Sequence, residues 1–499
     1  MVGVSGWLAG SPAASWRVPE ALSYEQLLVV VGELAARSDE QAAVIVSQAA
    51  VIEALRVQVA ELQARLGQSS RNCSVPPSAD GLAKPAPKSR RSRTGRKPGG
   101  QPGHPGQTLR QVAVPDEVVV HEPVCCGGCG GALAGARRSG CSRRQVFDLP
   151  PVTVRVTEHQ LIERTCGGCG TATRAQPPAG VPAAPVSYGP RIAAVIVYLY
   201  VGQFLSQQRT ADALGELFGV PLSPGTVGKM TERAAATLTD SGLLQLIAGR
   251  IARAPVAHFD ETGLRVAGAL HWVHSASTDK YSLITCHRRR GVLAMDAAGV
   301  LPHFTGVAVH DAWAPYDTYT GATHALCGAH VLRELTAVID LAPAGPFCWA
   351  QQAHDALLDL KALADKAAAG GQAPEAAALA RHTRLLHCAA MLGVTANRDQ
   401  TGKLARKHHA LARRLLHRQD DYLRFTTDPA VPFDNNAAER EIRMIKVRQK
   451  VSGCLRTLTG AEAFCALRSY LATARKHDTH FFDALSQLAQ GQPWQPAAA

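Results

Sequence analysis

Between residues 24 and 67, apolar side chains recur on a three-four spacing. Ile45, Ile52, Leu55, Val59, Leu62 and Leu66 share one stripe, interrupted at Gln48, and the opposite face is polar. That period places a narrow apolar seam along one side of an α-helix and predicts a coiled coil against a partner helix. An amphipathic helix packing on its own chain would show the same spacing. From 68 to 110 the pattern stops. Pro, Gly, Ser, Lys and Arg dominate, so this stretch cannot bury enough surface to fold alone and reads as a linker. Within 120–175, Arg144–Leu149 and Val152–His159 alternate apolar and polar residues, which predicts strands in a small β module.

Helical spacing returns over 185–250. Arg209–Phe218, a Gly219-Val220 turn and a helix opening at Ser223-Pro224 resemble a helix-turn-helix. Ser223 suits the N-cap and Pro224 the first helical position. The second helix of such a unit can enter the DNA major groove, although an ordinary helical hairpin has the same pattern. Strand patterns then open the region 254–455: Val256–Thr262, Ala269–Ser275 and Tyr281–His287. A helical patch near Val292–Pro302 and a short apolar strand ending at Asp311 follow. Three antiparallel strands, a helix and a further strand form the opening order of a ribonuclease-H-like fold. Residues of about 340–425 read as a helical insertion in this core, and 456–490 as a C-terminal helical region. The predicted class is therefore multidomain α+β: an N-terminal coiled coil, a small zinc-binding β module, a helical DNA-binding region, and a ribonuclease-H-like α/β catalytic core with a helical insertion.

Charge narrows the partner. The 499 residues carry a formal net charge of +13, which favours a polyanion such as double-stranded DNA. Lys84, Lys88, Arg90, Arg91, Arg93, Arg96 and Lys97 lie in a stretch with no acid and suit phosphate neutralisation. A solvated linker is the plainer reading, and the two are compatible. The start of the chain lacks a secretory pattern, so the thirteen cysteines read as metal ligands or buried thiols and not as disulfides. The apolar run Ile192 to Leu205 is too short to span a bilayer and contains Gly202 and Gln203. The expectation is a cytoplasmic protein with no membrane partner.

Two constellations carry chemistry. Cys126-Gly127-Gly128-Cys129 and Cys166-Gly167-Gly168-Cys169 are paired knuckles that suit one tetrahedral, structural Zn²⁺. Cys125 could replace Cys126, and a disulfide or redox pair would use the same residues. The second constellation is acidic. Asp260 lies on the first core strand, Asp311 ends the fourth, and Glu439 sits in Asp434-Asn435-Asn436-Ala437-Ala438-Glu439-Arg440 at a helix start. Convergent carboxylates of this kind can hold two Mg²⁺ or Mn²⁺ ions for phosphoryl transfer. Glu261 could replace Asp260, since strand neighbours point to opposite faces and only one can enter the site. Asp311 could merely cap its turn. Asp434 or Glu441 could replace Glu439, which could instead form a capping box with Asn436. Arg440, Arg443, Lys446, Arg448 and Lys450 follow Glu439 and predict contacts to a phosphate backbone across the site.

The ordered set resembles the large transposase of the insertion sequence 66 family. The resemblance rests on Ser69-Ser70-Arg71-Asn72, Pro76-Pro77-Ser78-Ala79-Asp80-Gly81, the paired knuckles, Asp260-Glu261-Thr262, and Asp311-Ala312-Trp313-Ala314-Pro315-Tyr316. It rests equally on Cys327-Gly328-Ala329-His330, Asn435-Asn436-Ala437-Ala438-Glu439-Arg440 and Lys446-Val447-Arg448-Gln449-Lys450-Val451-Ser452-Gly453. It covers about residues 25 to 490. It implies a bacterial enzyme whose Asp260, Asp311 and Glu439 are the catalytic Asp-Asp-Glu triad, cutting element ends and joining them to target DNA. A homo-oligomer assembled through the coiled coil, and accessory proteins of the same element, are the implied partners. Cys327 and His330 match a Cys-x-x-His element; a buried structural pair is the first reading of it and a metal ligand pair the second.

Overall fold

A computed structural model describes residues 23–69, 72, 109–150, 152–342, 345 and 347–497. The basic linker residues Lys84, Lys88, Arg90, Arg91, Arg93, Arg96 and Lys97 lie outside the described residues. The chain divides into two compact units. One combines the N-terminal helix with Arg333–His354 and Leu386–Leu416; the other holds the remaining described elements.

The N-terminal helix α1 spans Tyr24–Leu66. Ser23 and Gln26 close it with a reciprocal capping box, which satisfies two of the amide donors that a helix start leaves open. Its apolar side chains are exposed, including Ile45, Ile52, Leu55, Val59 and Leu62. By length and composition alone α1 could cross a membrane. Its last turns meet the helical insertion within the same unit: Glu61 accepts the Lys403 backbone N–H at 3.0 Å.

The cysteine module is built locally. In each knuckle the first cysteine's carbonyl accepts the N–H of a left-handed glycine, Gly130 (φ 73°) or Gly170 (φ 71°), at 2.9 Å. The strands are β1 (Glu163–Thr165) and β2 (Ala172–Arg174), an antiparallel pair flanking the second knuckle. This differs from the sequence reading. Arg144–Leu149 and Val152–His159 are not strands, and Val146, Leu149 and Val156 are exposed. Alternation alone did not produce a sheet there because no described partner strand pairs with these segments.

Helices α2 (Pro190–Val197), α3 (Gln207–Phe218), α4 (Pro224–Asp240) and α5 (Leu243–Ala252) follow. Gly219 ends α3 at φ 63°, and the Ser223 hydroxyl caps α4. One face of α4 buries Val227, Met230, Ala235 and Leu238, while Lys229, Glu232 and Arg233 stay exposed.

The central sheet comprises β3 (Val256–Val266), β4 (Ala269–Ser277), β5 (Ser282–His287), β6 (Val307–His310) and β7 (Thr323–Leu326), in the spatial order β5-β4-β3-β6-β7. The first three strands are antiparallel; β6 runs parallel to β3 and β7 parallel to β6. Ala267 (φ 48°) and Gly268 (φ 80°) form the two-residue turn between β3 and β4, both in the left-handed region that such a hairpin favours. Helix α6 (Val292–Ala297) links β5 to β6. Gly306 precedes β6 at a point where a Cβ would come within 2.4 Å of the Ala254 carbonyl, so only glycine allows β6 this close to β3.

After β7 come α7 (Gly328–Ile339), α8 (Trp349–Ala369), α9 (Ala376–Arg398), α10 (Lys403–His417) and α11 (Gln419–Leu423). The chain then returns to the sheet through α12 (Asn436–Ser452), α13 (Leu458–Lys476) and α14 (Phe481–Ala489). Helix α12 lies on β3 and β4, and α13 on β5 and α4. Phe464, Leu467, Tyr470 and Leu471 of α13 are fully buried. Each such side chain contributes roughly 1.5–3 kcal/mol, so α13 is a main anchor of this unit. Arg468 is buried on the same helix, 5.3 Å from the Phe204 ring centroid, and desolvation lowers its pKa to about 10.

Candidate active site

The β3–β6 register sets the acidic site. His258 pairs with Val309, so continuing that parallel register brings Asp311 level with Asp260. Asp260 lies within β3, opposite Ser275 of β4. Asp311 directly follows β6, and its Oδ1 accepts the Trp313 N–H at 3.0 Å. Glu439 stands in the first turn of α12. Burial is the largest cause that pushes the Asp260 pKa well above the usual carboxylate range, followed by the charges of Glu261, Asp311 and Glu439. Asp311 and Glu439 are thus both close enough to Asp260 for their charges to act on it.

The competing acids each have partners of their own. Glu261 is buried, receives the Tyr316 hydroxyl at 2.7 Å and pairs with Arg290 at 2.6 Å. Arg290 is itself held between Trp272 and Trp313, 4.8 and 3.9 Å from their ring centroids. Asp434 accepts both the Asn436 backbone N–H (3.1 Å) and its side-chain amide (2.6 Å). Glu441 is buried and faces Arg475 at 3.7 Å. Glu439 is the acid of this motif whose charge reaches Asp260.

Asn435 joins the pieces, a role that sequence reading missed. It is fully buried. Its side-chain amide donates to the Phe259 carbonyl at 2.7 Å, its Oδ1 meets His258 Nδ1 at 3.0 Å, and its backbone N–H reaches Cys327 Sγ at 3.2 Å. One side chain therefore fixes the start of α12 against the strand that carries Asp260. The only signal of this in the sequence was its place in the Asn435-Asn436 motif. Behind Asp311, His310 is buried and neutral: desolvation first, then His324 and Arg418, lower its pKa well below the usual value. Its Nδ1 accepts the Ala312 N–H at 3.2 Å, which leaves the ring proton on Nε2, 3.0 Å from His324 Nδ1. That bond secures Ala312, a non-glycine residue held at φ 69° directly after Asp311.

The basic run of α12 divides. Arg440, Arg443 and Lys450 are exposed, on the solvent side of the helix. Arg448 is not available to DNA, contrary to expectation. It is buried, donates to the Gly453 carbonyl at 2.7 Å, and stacks over the Tyr200 and Phe464 rings. Lys446 is half-buried and donates to the Gly263 carbonyl at 2.6 Å, and burial lowers its pKa. Helical periodicity explains the correction: α12 packs one face on the sheet, so alternate turns of a continuous basic run must point inward.

The knuckle cysteines were expected to share one tetrahedral site. Cys126 and Cys169 have lowered pKa values, through bonds to Cys129 and Gly128 in one knuckle and to Thr171 and Cys166 in the other. Among the described residues, however, no three of the four sulfurs lie within 4.8 Å of one another. Each knuckle is formed, and the two are not closed on a common centre. Four thiolates repel, and a cation is what offsets that repulsion.

The chain thus sets a paired-cysteine module ahead of a mixed sheet-and-helix unit with clustered carboxylates. Residues 185–463 match the family described as Transposase IS66 family, and 123–170 match the zinc-finger binding domain of transposase IS66. The chain belongs to the IS66 transposase family. The finger match supports Zn²⁺ as the ion of the cysteine module. Residues 24–110 match a family of unknown function. No curated protein matches the chain.

Proposed function

We propose that the chain cleaves DNA at the ends of its element and transfers the freed strand to target DNA, using Asp260, Asp311 and Glu439 to hold two Mg²⁺ or Mn²⁺ ions on a ribonuclease-H-like core. The observation that carries this reading is the charge environment of Asp260, a buried carboxyl facing other carboxylates. Such a cluster fits a hard divalent cation, whose oxygen ligands are carboxylates and water. The strand order, with three antiparallel strands followed by two parallel ones, supports the same core.

When bound, the ions would supply an activated water or 3′-hydroxyl nucleophile and stabilise charge on the leaving oxygen. The protein's own residues do the rest. Asn435 and the His310–Ala312 bond fix where the acids stand. Glu261, held by Arg290 and Tyr316, is a positioning neighbour beside Asp260. Arg440, Arg443 and Lys450 present cations to a phosphate backbone, together with the basic linker. The cysteine module folds around Zn²⁺ and belongs to the DNA-binding apparatus. The exposed apolar stripe of α1 is the seam of a coiled coil between copies, because two element ends must be held together. This assembly acts on DNA in the cytoplasm.

The test is cleavage of duplexes carrying the element's end, with Mg²⁺ or Mn²⁺ supplied. Wild-type protein is expected to leave a 3′-hydroxyl at the end and, with target DNA present, a joined product. Tight binding without cleavage in either metal would overturn the catalytic reading and leave a DNA-binding protein.

A further inference from the structure

A second group of ligands borders the acidic site. Cys327 lies between β7 and α7, His330 stands in the first turn of α7, and Glu439 in the first turn of α12. One donor atom from each falls within 4.8 Å of the others, and His330 Nδ1 is 3.8 Å from Glu439 Oε1. The backbone around them is fixed. The Cys327 N–H donates to the His310 carbonyl at 2.9 Å, and Gly328 N–H to the Phe433 carbonyl at 2.8 Å. The Asn435 N–H points at Cys327 Sγ. Gly328 also lies against the Phe433 ring, where a Cβ would be only 2.3 Å from the ring carbon.

We propose that Cys327, His330 and Glu439 form a cation site, distinct from the cysteine module, that selects a soft or borderline divalent ion such as Zn²⁺. The donor set is one sulfur, one nitrogen and one oxygen. Thiolate and imidazole favour Zn²⁺ over Mg²⁺, which takes oxygen ligands. Tetrahedral zinc with these donors needs spacings of roughly 3.3–3.8 Å, so the group must close by at most about 1.5 Å. Three protein ligands leave a fourth position open. Cys327 forms the buried floor at 1% exposure, while the His330 and Glu439 side chains are 18% and 22% exposed and form the entrance. Binding of the ion forms a sulfur–metal bond and releases the thiol proton to water.

The other compact group, His310, Asp317 and His324, does not compete for this role. Its rings are bonded to each other and Asp317 is paired with Arg418 at 2.5 Å.

Sharing Glu439 has a consequence that rests on the catalytic reading above. An ion held by Cys327 and His330 draws Glu439 away from Asp260, so added Zn²⁺ lowers Mg²⁺-dependent cleavage.

Cadmium NMR of the full-length protein, exchanged with cadmium, tests the site itself. Two sulfur-ligated resonances are expected: a strongly deshielded one from the four knuckle thiolates, and a less deshielded one from the mixed site; cadmium held by carboxylates alone lies much further upfield and is not counted. Cys327→Ser and His330→Ala should each remove the second and keep the first, with circular dichroism showing the fold retained. His330 is partly exposed, so its variant keeps the test decisive if Cys327→Ser unfolds. A single four-thiolate resonance in the wild type, or a second one that survives both substitutions, overturns the proposal. The readout does not depend on cleavage. A single resonance alongside loss of cleavage in Glu439→Gln would remove this site and leave the catalytic reading intact. Two resonances alongside normal cleavage in Glu439→Gln would do the reverse.

Discussion

The cysteine module and the carboxylate site solve the same problem over very different lengths of chain. Each knuckle is complete within a few residues: two cysteines, two intervening glycines, and a left-handed glycine whose N–H returns to the first cysteine. The module has almost no sheet and exposes Val146, Leu149 and Val156. The carboxylate site has no local structure of its own. It exists because a parallel strand pair sets Asp260 beside Asp311 and because Asn435 bonds to His258, 177 residues away. A local motif is set by its own few residues, whereas a long-range one needs a finished fold. Buried hydrogen bonds of the Asn435 kind are costly to break, so they fix geometry as well as stability.

The contrast is tested most sharply at the acid that arrives last in sequence. Glu439→Gln should lower cleavage by more than about 100-fold, beyond the usual effect of changing an outer-sphere partner. Affinity for element-end DNA should stay close to wild type. Cleavage at the wild-type rate would transfer the third ligand to another acid.

Asn435→Ala probes the long-range tie itself. Cleavage should fall about 10–100-fold, as for outer-sphere partners of metal ligands. Unfolding free energy should drop by about 1–3 kcal/mol, from buried groups left unpaired. An unchanged rate at equal protein folding would show that Asn435 holds the fold and not the site.

Metal should stabilise this unit in a way that follows pH. The Asp260 pKa is raised above its ordinary 3.8, so this group's contribution to stability is full below that value and is lost as pH rises through the folded pKa. At neutral pH, Mg²⁺ at about 100 times its dissociation constant should restore about 2.7 kcal/mol. Differential scanning calorimetry with and without Mg²⁺ reads it, and Asp260→Asn should abolish the response. A Mg²⁺ response as large in Asp260→Asn would locate the ion elsewhere.

The two kinds of basic residue on α12 should separate. Arg440→Ala with Arg443→Ala should reduce the salt slope of DNA binding by about 2, near 0.9 for each phosphate no longer neutralised. Arg448→Ala should leave the slope alone and cost about 1.5–3 kcal/mol of stability, the range for a charged hydrogen bond. Equal slopes in all variants would move the DNA path off this helix.

The smallest expected effect lies in the cysteine module. Cys166→Ser should remove about one zinc per chain by metal analysis, while the sheet unit's unfolding shifts by no more than about 0.5 kcal/mol, as for independent sites. A large shift would mean that the module and the sheet fold together.

Several elements were legible in the chain because their signals are local. The three-four spacing of α1, the Ser223-Pro224 start of α4 and the two knuckles each depend on neighbours within a turn or two. The strands of the core sheet were readable too, with β3 running four residues beyond the expected Thr262 to Val266. The alternation at Arg144–Leu149 misled, because a strand needs a partner and period alone does not supply one. Arg448 misled for a related reason. Charge was visible, but the side of α12 that faces the sheet was not.

The sequence by itself determined the order of the modules, the cysteine knuckles, the acidic candidates and the family. Those follow from residue type and spacing, which are properties of short stretches of chain. Only the tertiary structure decided which acids meet, that Glu261 is held by Arg290 and Tyr316, that Asn435 ties α12 to β3, and that Cys327 and His330 stand beside Glu439. These depend on register, burial and direction, and those are fixed only when distant segments pack against one another.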